Sequence, residues 1–161
     1  MRPLSTRDDQ AMGRRIPVWV LGSRLRGHTE LIAVIVRVVA GLFIALAGVG
    51  KFADHAKEVH DFRGFGVPLA DVAVPLAGAI ELVGGVLVII GFLTRPAALA
   101  IALNLVVALL TAGINEGGTF HLVVGPTLMA IMLFFVWCGA GPPSIDARLV
   151  RLRATTTRPN R

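Results

Sequence analysis

The stretch LIAVIVRVVAGLFIALAGVGKF, residues 31–52, carries a single charge, Arg37, before Lys51 closes it. A helix rises about 1.5 Å per residue, so about 20 such residues cross the roughly 30 Å hydrocarbon core of a bilayer. Three further apolar runs follow at 72–93, 96–113 and 121–138. The first two runs clear the length of a spanning helix comfortably, and the last two only just reach it. The pattern predicts an all-α integral membrane protein, a bundle of four transmembrane helices.

Composition agrees. The chain is 55% apolar with a mean hydropathy of +0.74, where a soluble domain has about 45–50% apolar residues even counting glycine. Once the four spans are placed, 161 residues leave no room for a separate soluble catalytic domain.

A net charge of +6 would suggest nucleic acid in a soluble chain, but the positions of the charges speak against nucleic acid as a partner. Six arginines precede the first run, Arg95 lies between the second and third, and five arginines follow the fourth. Lys51, Lys57 and Arg63 fall on the other side. Basic residues gather on cytoplasmic loops, so both termini are expected in the cytoplasm (N-in, C-in). Arg14-Arg15 is followed by an apolar run of only six residues, 16–21, broken by Pro17, shorter than a signal peptide uses. Residues 1–29 therefore read as a basic cytoplasmic arm, 30–140 as the transmembrane domain, and 141–161 as an interfacial helix and basic tail. In that last part Ser144 is the expected cap, with Ile145, Leu149 and Leu152 toward lipid. Between spans, Thr94 is the expected N-cap of the third helix, with Pro96 in its first turn. The connection 54–71 is expected to hold a short interfacial helix and a Gly66-Val67-Pro68 turn.

Advancing 100° per residue places one stripe on each helix. Arg37, Gly41, Ala45, Gly48 and Lys51 share a face of the first span, and Ala77, Gly78, Glu81, Gly84, Gly85 and Val88 a face of the second. Ala97, Ala100, Asn104, Ala108, Thr111 and Asn115 align on the third; His121, Gly125, Leu128, Met132, Phe135 and Gly139 on the fourth. Small residues let membrane helices approach closely, and four converging stripes make a bundle.

Ionisable groups inside membrane spans face the bundle interior or a wet cavity and mark functional sites. Glu81, near mid-depth, is the foremost candidate, with Lys51, Arg37, Asn104 and His121 as further ligand-binding or proton-relay candidates. Helical side chains tilt toward their own N-terminus. In antiparallel spans Arg37 and Glu81 therefore lean apart, while Lys51 and Glu81 lean together, so Lys51–Glu81 is the expected pair. Arg37, at the level of Asn104, is left with that amide, helix carbonyls or lipid phosphate, and a polar line Arg37–Asn104–Glu81–Lys51–His121 is one arrangement. Against these stand plainer readings: Arg37 snorkels, Lys51 anchors at the interface, Asn104 glues helices, His121 sits at the rim. One cysteine, Cys138, permits no internal disulfide. His55, His60, Asp54, Glu58 and Asp61 lack the tight spacing of metal ligands, and no metal site is expected.

In order along the chain come Arg37-x-x-x-Gly41, Gly48-Val49-Gly50-Lys51-Phe52, Phe65-Gly66-Val67-Pro68, Glu81-Leu82-Val83-Gly84-Gly85, Thr94-Arg95-Pro96 and Ser144-Ile145-Asp146. That series resembles the DoxX family of small four-helix bacterial membrane proteins, over about residues 31–150. The resemblance implies a multi-pass protein of the bacterial inner membrane. It also implies a link to thiosulfate:quinone oxidoreductases, or to oxidative-stress complexes with a superoxide dismutase and a thiosulfate sulfurtransferase. Such a chain would be a subunit of a redox-linked complex in contact with the lipid bilayer and soluble redox partners. It would have no intrinsic cofactor, a quinone as its expected ligand, and no self-contained catalytic motif. Two other classes remain open: a small transporter or channel with a proton or cation path centred on Glu81, and a structural scaffold.

Overall fold

Apolar runs of about 18 to 22 residues recur along the chain, and in lipid the backbone can satisfy its own polar groups only as helix. The computed structural model describes residues 28–115 and 118–156, and among these no strand occurs. In order come α1 (His28–Ala53), α2 (His55–Gly64), α3 (Ala70–Ile90), α4 (Thr94–Ala108), α5 (Gly125–Cys138) and α6 (Ile145–Thr156). Two π-helical turns, Leu109–Gly113 and Phe120–Val124, prolong α4 and precede α5. Three helices, Glu30–Ala53, Ala70–Ile90 and Thr94–Gly113, are long and apolar enough to cross a membrane, and Leu122–Cys138 is a shorter apolar helix. Most of the expected basic arm, residues 1–27, lies outside the described residues, as do 116–117 of the α4–α5 turn and the tail from 157.

α1 and α3 form the closest pair in the bundle. A Cβ on Gly48 would stand 2.5 Å from the Leu82 amide nitrogen, and one on Gly85 would stand 2.7 Å from the Gly41 carbonyl oxygen. Only hydrogen fits at these two points, so the backbones touch as small residues permit. The stripes expected on α1, α3 and α5 face inward, except that the His121 side chain lies outside the described residues. The α4 stripe needs correction. Ala100 is exposed, while Ala97, Ala98, Ile101 and Ala102 are buried, so the helix is turned to press the Ile101 side chain onto Gly84. Large apolar side chains such as Leu31, Val39, Leu46, Val72, Leu103 and Leu110 face outward. A bilayer is the solvent that tolerates such a belt.

Val88, Ala98, Ile101, Met132, Phe135 and Cys138 fill the core in one half of the bundle. A smaller cluster, Val59, Ala70 and Val74 with Phe62, seats α2 against the start of α3. α3 ends in a Schellman turn: the Gly91 amide donates to Val88 O, and the Phe92 amide to Leu87 O. The left-handed φ of 68° at Gly91 is one that glycine adopts without strain.

Thr94 is not the cap of α4. Leu93, at φ 48°, is the N-cap, and Thr94 is the first helical residue. The capping carboxylate comes from Asp146, which accepts from the Leu93 amide at 2.9 Å and the Thr94 amide at 3.0 Å. The Asp146 amide donates back to Gly91 O. Ser144 does cap α6 as expected, its hydroxyl accepting from the Ala147 amide. The start of α6 is thus fastened onto the α3–α4 turn.

Replacing Asp146 with alanine strands two amides that are now satisfied, and a buried unsatisfied donor costs about 1–3 kcal/mol. Asp146→Ala is expected to lower the unfolding midpoint in detergent by that order. Asp71→Ala, which removes only an exposed pair with Arg63, is expected to leave the midpoint where it was.

Candidate functional site

Glu81 sits midway along α3, on its buried face between Gly78 and Gly85. A carboxylate placed there in apolar surroundings must find protein partners. Lys51, on the last turn of α1, brings Nζ to 2.8 Å from Glu81 Oε2. Asn104 of α4 donates from Nδ2 to Glu81 Oε1 at 2.9 Å. The side chains of Lys51 and Glu81 are 14% and 9% exposed, so water screens the pair weakly. The opposed tilt of side chains on antiparallel helices sets this pairing, and the α1–α3 glycine contact sets its depth.

These three groups form the floor of a cavity of about 500 Å³. Phe43, Ile44 and Leu105 supply apolar wall, and Lys57, Glu58 and Asp61 of α2 stand at its mouth. α2 is held over the opening partly by the Asn115 side-chain amide, which donates to Phe65 O at 3.2 Å. Lys57 pairs with Asp61 at 3.0 Å, and that carboxylate raises the ammonium above its ordinary pKa. The first π-helical turn contributes Leu109, Thr111 and Ala112 to the lining; such turns often occur beside functional sites. α1 and α5 scarcely meet, and wall residues Phe43 and Val107 are 42% and 55% exposed.

Arg37 does not join this group. It is 3% exposed and donates to the carbonyls of Ala140 and, at 2.8 Å, Pro143. It neither snorkels nor pairs with Asn104, and the single polar line divides into two centres. The depth estimate placed Arg37 and Asn104 level. In fact the guanidinium lies beside Gly91 at the end of α3, because α1 begins before the other helices and its first turns extend past theirs. Sequence reasoning missed Asp146, which is 1% exposed, although Ser144-Ile145-Asp146 had already stood out as a motif. His121 belongs to the second π-helical turn, but its side chain lies outside the described residues. Among the described residues no group of three or more His, Cys, Asp or Glu is placed to hold a metal ion.

Breaking a buried ion pair from one side leaves the other charge uncompensated, a loss of about 3–5 kcal/mol. Lys51→Met is expected to destabilise the protein by that order in a detergent unfolding titration. Lys51→Met/Glu81→Leu is expected to recover a large share, because both charges are then gone.

Comparison with known proteins matches the sequence to a family. The DoxX family profile matches residues 32–114, a segment that includes Arg37, Lys51, Glu81 and Asn104. A Mycobacterium tuberculosis protein described as an uncharacterized membrane protein is 28% identical over 158 residues, 89% of this chain and 94% of its own. A Haemophilus influenzae protein without assigned function is 26% identical over 121 residues, 71% of this chain and 88% of its own. A Bacillus subtilis protein named "Putative oxidoreductase CatD" is 35% identical over 82 residues, 51% of this chain and 60% of its own. No solved structure matches the chain. With its profile covering half of the sequence and its relatives extending over most of it, this membrane protein belongs to the DoxX family.

Proposed function

We propose that the protein is an inner-membrane subunit of a redox-linked complex and binds a quinone or similar lipophilic molecule in the cavity above Glu81. The observation that carries this reading is the cavity itself, lined mostly by apolar side chains, with its charged groups at the floor and mouth. Its volume lies within the 300–1,000 Å³ of ordinary ligand pockets. A ring with a polar substituent fits such a site, and an apolar tail can leave through the gap between α1 and α5. When bound, a quinone supplies a carrier of two electrons and two protons. Lys51 has ammonium hydrogens beyond the one directed at Glu81, and these can donate to a carbonyl oxygen of the ligand. Glu81 can hold or release a proton, with Asn104 fixing the carboxyl group. The relative named as an oxidoreductase supports the redox link. Electrons would come from or go to a soluble partner's cofactor, in an oxidative-stress or sulfur-oxidising assembly.

The reading includes four membrane crossings with both termini cytoplasmic. Arg95, Arg148, Arg151 and Arg153 belong to the end of the bundle where α6 docks, whereas Lys51, Lys57 and Arg63 belong to the α2 end, and the richer end is the cytoplasmic one. On this reading residues 1–29 form a cytoplasmic arm, 30–140 the transmembrane domain, and 141–161 an interfacial helix with a basic tail.

Purified protein in nanodiscs is expected to bind a short-chain ubiquinone or menaquinone analogue. Glu81→Gln is expected to weaken binding at least about tenfold, equivalent to 1.4 kcal/mol. Equal affinity in the two proteins would remove the carboxyl from ligand binding. A reporter fused at the C-terminus is expected to be active only in its cytoplasmic form; activity of the periplasmic reporter would overturn the proposed orientation.

A further inference from the structure

We propose that Glu81 and the cavity around it exchange protons and water-soluble solutes with one face of the membrane only, the face that carries α2. The inference rests on the reading of this chain as a spanning bundle with the cavity as its site, and it deepens that reading without depending on which ligand binds.

The route toward α2 is polar. Lys57, Glu58 and Asp61 line the mouth, and below them Lys51 reaches Glu81 directly. Together they provide a succession of charged groups in a space wide enough for water, the arrangement along which protons move inside membranes. From α4 Glu81 faces the neutral Asn104, and α5 adds only Gly125 and Leu128 to the described lining.

In the opposite direction the lining stops. Among the described residues it includes none before Phe43 on α1, none beyond Glu81 on α3, none before Asn104 on α4 and none beyond Leu128 on α5. The next layer is Val88, Ala98, Ile101, Met132 and Phe135, each with no exposure, with Ala102 at 2%. This packing is carbon against carbon. The ten residues from Glu81 to Gly91 span about 15 Å of helix, and among the described residues the next buried polar side chains are Arg37, Thr94, Ser144 and Asp146 at the far junction. Arg37 turns its hydrogens toward Ala140 and Pro143, away from the cavity. Apolar interiors of this kind stay dry, so they offer a proton neither water nor a titratable relay.

A proton on the Glu81 carboxyl therefore leaves by one path. Its O–H bond breaks, the proton passes to water at the α2 mouth, and the carboxylate left behind is held by Lys51 and Asn104. Uptake is the reverse. Chemistry that takes or releases protons in the cavity would do so at a single face, and the site would not conduct ions through the bundle.

The test uses full-length protein in sealed vesicles of defined orientation, with Cys138→Ala as background. Single cysteines replace Ala108 and Ala47 in the cavity wall, Lys57 at the α2 end and Arg148 at the α6 end. A membrane-impermeant sulfonated methanethiosulfonate is added from one side at a time. Both wall cysteines are expected to label at least about tenfold faster from the side that labels Lys57→Cys than from the side that labels Arg148→Cys. Equal labelling from both sides, faster labelling from the Arg148 side, or no labelling of either wall position would overturn the proposal. A second measurement needs no cysteine. Carbodiimides modify protonated carboxyls, and the rate at Glu81, mapped against Glu81→Gln, is expected to follow the pH on the α2 side. A rate that follows the α6 side, or both sides, would overturn the proposal as well. Neither measurement contains a quinone, so failure of quinone binding and failure of one-sided access are read separately.

Discussion

A carboxylate in the middle of an apolar bundle cannot be left to water, and that requirement organises this molecule. Glu81 is acceptable where it stands because Lys51 supplies a compensating charge and Asn104 a hydrogen bond. Lys51 would be out of reach if α1 and α3 were separated by ordinary side chains. Gly48 and Gly85 bring the two backbones into contact, and that contact also fixes the register. A slip of one residue turns a helix face by about 100° and would carry Lys51 away from Glu81. Glycine packing and the ion pair are thus a single constraint, and the cavity is the space left above it where α1 and α5 do not close.

Most of that constraint was legible in the sequence. The stripes on α1 and α3 follow from helical periodicity, and the Lys51–Glu81 pairing from the opposed tilt of side chains on antiparallel helices. Arg37 was harder for a physical reason. Its partners are main-chain carbonyls of Ala140 and Pro143, and a carbonyl looks the same at every position of a sequence. Asp146 caps a helix whose first residue lies 52 positions earlier, and no local capping rule reaches that far. The α4 face was misjudged because small residues occur all around that helix. Ala100 and Ala97 are alike in composition, and only the bulk of Ile101 against Gly84 decides which way the helix turns.

The division of the expected polar line into two centres has chemical meaning. At the α6 end Arg37, Arg95 and Asp146 each answer backbone groups. Arg37 faces carbonyls of the chain leaving α5, and Arg95 donates to Val136 O in the last turn of that helix, where the dipole is negative. Asp146 occupies the N-terminus of α4, where the dipole is positive. These two cations and the anion are matched to fixed groups, and the junction acts as a structural clasp. The Glu81 centre differs in kind. Its charges answer one another, and they border a cavity instead of packed backbone. Lys51 retains donors beyond its bond to Glu81, and the mouth above carries further charges on a helix that can be reached from one side. A polar group that is satisfied and walled in holds a fold together. One that is satisfied yet opens onto a cavity of ligand size is available for binding and proton exchange, which is why the proposed chemistry is centred on Glu81 and not on Arg37.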